Sequence, residues 1–309
     1  MPAKFYPLPA PLATIDVAGD DGAVIRVRRH GNPLGNRLIV SHGNGFAIDG
    51  YVAFWGRFLA DFEIVAFDAR NHGWSEAAGP QANFLGHDYA HMARDLDRVR
   101  EAAAAEFGAK PTAGLFHSMS AQAAMIAALE LGWQFDALVL FDPPNNPAEG
   151  HPVRAPMVAY LKRLVAWASA RRERFDDPTE LARDYAATRA GRNWVEGAHR
   201  QVAEAVLRPA ARGGWRLRCP RELEAAMYAQ GIALDLWPRA STFAGPIKLV
   251  GADPERDHAT PTALSNRALA AEGSYDYLAM PGTGHLLQLE APAACAEAAL
   301  EFLAGAGLL

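Results

Sequence analysis

Short apolar runs alternate with helical patterns between residues 37 and 142, and this alternation constrains the fold more than any other feature of the chain. Such runs predict buried strands. They are Leu38–Ser41, Glu63–Phe67, Pro111–Phe116 and Ala137–Phe141, with Ile247–Val250 as a later one. Between them, His87–Phe107 repeats apolar residues every three or four positions, which predicts an amphipathic helix. Pro292–Leu303 predicts a closing helix. The pattern is typical of a mainly parallel sheet with helices on both faces.

A serine lies at one junction between a predicted strand and a predicted helix. Ser118 follows the strand Pro111–Phe116 and precedes the helical run Ala121–Leu131. A sharp turn there would expose the hydroxyl at the sheet edge, beside a helix N-terminus that favours negative charge. The usual pattern, G-x-S-x-G, has small residues on both sides, whereas here Ser120 takes the second position and the bulky Phe116 takes the first. Taken alone, the junction also fits a helix N-cap serine.

Three further segments follow predicted strands. His42–Gly45 follows the strand Leu38–Ser41, and Asp68–Ser75 follows the strand Glu63–Phe67. Pro281–Gly284 leads from the run Ser274–Met280 to His285. With Ser118 between them, these segments resemble the α/β-hydrolase superfamily, and most closely its single-domain esterase-like members. Those members carry HG-x-G, D-x-R-x-HG-x-S, a nucleophile elbow and a late G-H-x-x-x-x-E. The resemblance implies an α/β-hydrolase fold with a mostly parallel central sheet flanked by helices and an inserted helical cap.

The stretch from 143 to 240 interrupts the alternation, so we expect a core of residues 1–142 and 241–309 with a cap of residues 143–240. Helical patterns dominate this stretch, and its basic residues outnumber its acidic ones. It is also rich in aromatic residues, including Trp167, Trp194, Trp215, Tyr228 and Trp237. A basic, aromatic cap would suit an anionic or aromatic substrate. Arginines on solvated helix faces and tryptophans packed against the core explain the same composition, and we favour that interpretation.

Composition narrows the class of protein. Half of the 309 residues are apolar and the net charge is −5, which suits a globular protein and argues against a nucleic-acid binder. No signal-peptide core or membrane-spanning run is evident, so a cytoplasmic protein with no membrane partner is expected. Cys219 and Cys295 lack metal-ligand spacing, and neither a metal nor a cofactor is predicted. The expected partner is a small-molecule substrate, with the oligomeric state open and a homo-oligomer as one outcome.

The resemblance also implies which residues do the chemistry. Ser118 would be the nucleophile, and His285 the general base that takes its proton. A carboxylate should orient His285, and the family order places it after the strand that ends at Val250. Asp253 is the favoured candidate because it lies close to the strand end and precedes a proline. Asp257, further along the same loop, and Asp142, directly after the strand ending at Phe141, are the alternatives.

Two backbone N–H groups are expected to stabilise the oxyanion formed on attack. One belongs to Met119, the residue after the nucleophile. The second should come from the loop His42–Gly45, with the Asn44 N–H as the favoured donor, while Gly43 allows the backbone to approach closely. The histidines His42, His72 and His117 are interpreted as structural, and Asp68–Ser75 as a buttress of the site.

A serine at the elbow excludes haloalkane dehalogenases and epoxide hydrolases, which need a carboxylate nucleophile. The sequence therefore predicts a serine hydrolase that cleaves a small carboxylic ester, thioester or lactone through an acyl-enzyme on Ser118. A carbon–carbon bond hydrolase of the same fold is an alternative. A low-turnover, ligand-binding homologue is another, kept open by Phe116.

Overall fold

The computed structural model describes residues 6–75 and 86–309, and its centre is an eight-stranded sheet. The strands of the chain are β1 (Ala13–Ala18), β2 (Val24–Gly31), β3 (Arg37–Val40), β4 (Glu63–Phe67), β5 (Thr112–His117), β6 (Ala137–Phe141), β7 (Arg174–Phe175), β8 (Leu207–Pro209), β9 (Trp215–Leu217), β10 (Ile247–Ala252) and β11 (Asp276–Met280). The large sheet has the order β1-β2-β4-β3-β5-β6-β10-β11. Strand β2 is antiparallel to both of its neighbours, and every other pair is parallel. The predicted α/β-hydrolase fold is confirmed.

The helices cover both faces of this sheet. They are α1 (Val52–Trp55), α2 (Tyr89–Phe107), α3 (Met119–Glu130), α4 (Arg154–Ala170), α5 (Pro178–Ala187), α6 (Ala198–Val206), α7 (Arg221–Ala233), α8 (Pro261–Gly273), α9 (Leu287–Glu290) and α10 (Pro292–Gly305). A buried apolar cluster lies on each side, so the central strands are apolar along their whole length rather than alternating. The helix expected at residue 87 begins at Tyr89, because the Asp88 side chain caps it by accepting from the His91 N–H. Across the described ranges, no helix has both the length and the apolarity needed to cross a bilayer.

Residues between β6 and β10 form elements that do not join the large sheet. Helix α4 packs along α7, and α5 packs against α6. The same segment also holds a three-stranded antiparallel sheet in the order β7-β9-β8, so it is not purely helical. Strands of two or three residues are too short to show an alternating pattern in a sequence. The division into a core and a cap at residues 143 and 240 stays a prediction.

At the N-terminus, residues 13–18 form β1, which pairs antiparallel with β2. Residues 1–5 lie outside the described ranges. The carboxyl ends of the parallel strands β3, β5, β6, β10 and β11 all lie along one edge of the large sheet. Ligands of open α/β sheets bind at this edge, and the candidate residues follow these strands.

Candidate active site

Ser118 occupies a strained turn between β5 and α3. Its φ of 52° and ψ of −112° lie in a region that L-residues rarely adopt. Such strain persists only where the surroundings hold it. Here the Ser118 N–H donates to the Phe141 carbonyl at 2.9 Å, and its carbonyl accepts from Gln122 N at 3.0 Å. The Ser120 hydroxyl closes the turn through bonds to the N–H and carbonyl of His117, both at 3.0 Å. The turn therefore has the form expected of a nucleophile elbow.

Phe116 fits this elbow because the space it needs is vacated two residues earlier. Phe116 and Gly114 lie on the same face of β5, and a Cβ on Gly114 would lie 2.3 Å from Phe116 Cε2. The Phe116 ring is fully buried and packs edge-on against Phe135, with ring centres 5.8 Å apart. Gly114 thus provides room that the usual pattern provides by a small residue at position 116.

Ser118, His285 and Asp142 form a continuous hydrogen-bonded array. The Ser118 Oγ lies 3.0 Å from His285 Nε2, and His285 Nδ1 lies 2.6 Å from Asp142 Oδ2. Because a carboxylate only accepts, Nδ1 carries the imidazole proton and Nε2 offers its lone pair to the serine hydroxyl. The Asp142 side chain is fully buried, whereas 18% of the His285 side chain is exposed. The array can therefore accept a proton from Ser118 while staying accessible on one side.

Asp142 is held by donors on all sides. Its Oδ1 accepts from Ala252 N at 3.0 Å and from Asn266 Nδ2 at 2.9 Å, and its Oδ2 also accepts from the Thr262 hydroxyl at 2.6 Å. Burial opposes ionisation, but the bond to His285, the charge of that ring and the bonds from Thr262 and Ala252 prevail and lower the pKa of Asp142. The carboxylate therefore stays charged and fixed beside the imidazole.

The expectation that Asp253 contacts His285 is wrong. Asp253 turns outward: its Oδ2 accepts from Gly282 N at 2.7 Å and its Oδ1 from Glu255 N at 2.9 Å. Its Oδ2 braces the loop that precedes His285 and its Oδ1 braces the loop after β10, but the contact with the ring belongs to Asp142. Asp257, the other alternative, lies exposed in the turn before α8.

The two predicted N–H donors of an oxyanion site flank Ser118. Met119 is the first residue of α3, and Asn44 lies in the loop after β3. Neither backbone N–H donates to an acceptor within the ranges 6–75 and 86–309. A Cβ on Gly43 would lie 3.3 Å from Ser118 Cβ, so only a glycine lets this loop approach the serine so closely. The arrangement leaves two N–H groups available near the serine.

Two buried histidines and an aspartate accept hydrogen bonds from main-chain N–H groups in and around the loop His42–Gly45. His42 Nε2 accepts from Ala69 N at 3.0 Å, and His72 Nε2 accepts from Gly45 N at 3.1 Å. Burial lowers the pKa of both rings, which keeps them neutral and able to accept. Asp68 accepts from Ile48 N at 2.8 Å and from Trp74 N at 3.0 Å. The segment Asp68–Ser75, which the sequence predicts to support the site, accepts hydrogen bonds from main-chain N–H groups through Asp68 and His72.

The segment between β6 and β10 reaches the same loop through helix α7, a contact the sequence did not reveal. The Asn44 side chain donates to the Glu224 carbonyl at 2.8 Å, and the Glu224 carboxylate pairs with Arg171 at 2.7 Å. Arg171 also donates to the Tyr185 hydroxyl at 3.0 Å. Its charge is therefore already paired, and Trp194 is buried between Tyr185 and His199. The burial of Trp194 fits the packing interpretation, whereas Arg171 is buried in an ion pair instead of lying on a solvated helix face, and Trp167 is exposed.

No group of three or more His, Cys, Asp or Glu side chains suited to a metal ion occurs among the residues that the structure describes. Cys219 and Cys295 are both free and buried.

Comparisons with known proteins agree with the fold. The sequence profile of the Alpha/beta hydrolase family matches residues 38–298, and a search of curated proteins found no match. Among solved structures, the chain is similar to E-2-(acetamidomethylene)succinate hydrolase, with a TM-score of 0.75 at 20% identity over 94% of this chain and 100% of the other. It is also similar to the thioesterase domain from the curacin biosynthetic pathway, with a TM-score of 0.67 at 19% identity over 93% of this chain and 99% of that domain. A third is a malate-bound thermophilic esterase from Thermogutta terrifontis, with a TM-score of 0.66 at 16% identity over 95% of this chain and 99% of the other.

Proposed function

The chain belongs to the alpha/beta hydrolase family, and we propose that it is a serine hydrolase that cleaves a small carboxylic ester, thioester or lactone. One observation carries this proposal: the Ser118 Oγ is bonded to His285 Nε2 while Asp142 holds the other ring nitrogen. A serine is a poor nucleophile at its free pKa and needs such a base.

The reaction follows from these positions. The Ser118 Oγ attacks the carbonyl carbon while its proton passes to His285 Nε2, and the carbonyl oxygen becomes an oxyanion facing the N–H groups of Met119 and Asn44. The intermediate collapses, the bond to the leaving oxygen or sulfur breaks, and that atom takes the proton from His285. Water then attacks the acyl-enzyme, His285 takes a proton from it, and Ser118 regains its hydroxyl as the carboxylic acid leaves.

Asp142 keeps the imidazole in the tautomer that this sequence of steps requires and stabilises the imidazolium when it forms. Asp253 is not assigned to this role. The names of the three similar structures include a hydrolase of a succinate derivative, a thioesterase domain and an esterase. Oxygen and sulfur leaving groups are therefore both part of the proposal. The proposal also places the protein in the cytoplasm, because two free buried thiols fit a reducing compartment.

A fluorophosphonate probe tests the proposal, because it phosphonylates an activated serine whatever the natural substrate is. We expect peptide mapping to place the adduct on Ser118, and both Ser118→Ala and His285→Ala to abolish it. Ser169 is a control: it is more exposed, and its hydroxyl donates to the Val165 carbonyl rather than to a histidine. The Ser169→Ala variant should be labelled like the wild type.

An ester and thioester panel then measures turnover. Steady multiple turnover on at least one of these substrates is the expected result. A folded wild-type protein that is not labelled would overturn the proposal in favour of a ligand-binding homologue. A labelled protein that turns over only substrates with a carbon–carbon bond beside a carbonyl would overturn the ester assignment but not the nucleophile.

A further inference from the structure

His117 is a buried histidine beside the candidate nucleophile that takes no part in the proposed proton transfers. It is the last residue of β5, directly before Ser118, and only 1% of it is exposed. Both ring nitrogens have partners. Nδ1 lies 2.9 Å from the Tyr51 hydroxyl, and Nε2 lies 2.9 Å from the main-chain carbonyl of His285. The ring therefore bridges the segment that contains Tyr51 and the loop that carries the proposed base.

The partners fix which nitrogen of His117 carries the proton. The His285 carbonyl oxygen can only accept, so Nε2 must donate to it, and Nδ1 must then accept from the Tyr51 hydroxyl. Burial, and next the charge of His285, lowers the pKa of His117 to about 3, so the ring is neutral and has one proton to place. Burial also raises the pKa of Tyr51, which keeps its hydroxyl protonated and able to donate. The His285 carbonyl thus selects the Nε2–H tautomer, and the Tyr51 hydroxyl complements it by donating to Nδ1.

The carbonyl that His117 holds belongs to the same residue whose imidazole lies between Ser118 and Asp142. The His117 and His285 rings are 5.0 Å apart between centres, so the two side chains also pack together. His117 supports the other side of the site as well, since a Cβ on Gly43 would lie 2.9 Å from its Nδ1. A single ring therefore touches both the base loop and the loop that carries the Asn44 N–H.

We propose that His117, held as the Nε2–H tautomer by the His285 carbonyl and the Tyr51 hydroxyl, is a positioning residue that keeps the His285 main chain in register with Ser118 and Asp142. The inference rests on the proposed function, because positioning affects rate only if Ser118 and His285 react. A displacement of about 1 Å in a reacting group lowers turnover by about 10²-fold. Loss of the bond to the His285 carbonyl should therefore lower kcat, while KM for a small substrate stays nearly constant.

Two substitutions at His117 separate its two bonds. A glutamine amide reaches roughly the position of Nε2 and can still donate to the His285 carbonyl, whereas an asparagine amide reaches only the position of Nδ1. We expect kcat to fall by about 10²-fold in His117→Asn and by about tenfold or less in His117→Gln, with KM within about twofold in both. Equal losses in the two variants, or no loss in either, would overturn the inference.

A matched control is available in another histidine. His199 Nε2 makes the same kind of bond, to the Gly191 carbonyl at 2.8 Å, in α6, where its ring stacks on Trp194. The His199→Asn variant should keep kcat within about twofold of the wild type. Thermal unfolding of all variants checks that they fold. If His117→Asn does not fold, Tyr51→Phe replaces it, with an expected fall in kcat of about tenfold from one lost hydrogen bond.

A readout that needs no activity distinguishes failure of this inference from failure of the proposed function. The ¹⁵N chemical shifts of His117 should show a protonated Nε2 in the wild type and in Tyr51→Phe, because the His285 carbonyl accepts from Nε2 in both. A protonated Nδ1 in the wild type would overturn the inference even if Ser118 is labelled. An unlabelled Ser118 with the expected ¹⁵N shifts would overturn only the proposed function.

Discussion

The carboxyl ends of β6 and β10 look alike in the sequence and differ completely in the fold. Each strand is followed at once by an aspartate, Asp142 after Phe141 and Asp253 after Ala252. Asp142 is fully buried and bonded to His285, whereas Asp253 is partly exposed and accepts from the main-chain N–H groups of Glu255, in its own loop, and of Gly282, in the loop before His285. The pKa of both carboxylates is lowered. At Asp142 burial raises the pKa, but the hydrogen bonds and the charge of His285 outweigh burial, whereas at Asp253 the largest cause is the hydrogen bond from the Gly282 N–H. A lowered pKa therefore does not identify the residue that orients a base; its contacts and burial do.

Neutralising each carboxylate in turn tests which of the two aspartates orients His285. In Asp142→Asn the amide would face His285 Nδ1 and favour the wrong imidazole tautomer, so kcat should fall by about 10⁴-fold. Steady-state kinetics on the best ester of the panel measures this, with fluorophosphonate labelling rates as a substrate-independent check. A loss below about tenfold would mean that Asp142 does not control the tautomer of His285.

Removing one donor to Asp142 should have a smaller effect. Thr262→Val keeps the shape of the side chain but removes the hydroxyl bond to Asp142 Oδ2, which should lower kcat by about tenfold, the equivalent of one net hydrogen bond. Ser265→Ala is the matched control: that hydroxyl lies on the same helix and is equally buried, but donates to the Asn145 carbonyl. Equal kinetic losses in the two variants would point to a general disturbance of α8.

The counterpart of the first substitution, Asp253→Asn, should change kcat by about threefold or less, because a partly exposed residue that braces loops without contacting His285 has a small effect. The amide oxygen can still accept from one of the two N–H groups. The same kinetic assay measures it. A loss near that of Asp142→Asn would reverse the comparison and return Asp253 to the role that the sequence favoured.

The pH dependence of stability sharpens the same contrast. The folded-state pKa of Asp142 lies below the ordinary value of 3.8, so its charge stabilises the fold above about pH 4, and this contribution is lost as the pH falls through the folded pKa. The free-energy difference between wild type and Asp142→Asn should therefore change across acidic pH in chemical denaturation. The corresponding change for Asp253→Asn should be smaller, because water screens its interactions. Identical pH profiles for the two variants would contradict the difference in burial.

Much of the site was predictable because it depends on local signals. Ser118 and His285 follow from a strand, a turn and a helix start that are contiguous in the chain, and the structure brings their side chains together at 3.0 Å. Tyr51, Thr262 and Glu224 could not be found in this way. Each is an ordinary residue within its own segment and becomes relevant only through a contact with a distant one.

By itself the sequence determined the strand and helix order, the sheet class and the residues at the strand ends, because hydrophobic periodicity and turn chemistry act over a few residues. Only the tertiary structure decided which aspartate contacts His285, how Gly114 makes room for Phe116, and which ring nitrogen of His117 carries the proton. These depend on which side chain points inward at the meeting of distant strands, and burial and hydrogen-bond partners there are set by the packing of the whole sheet.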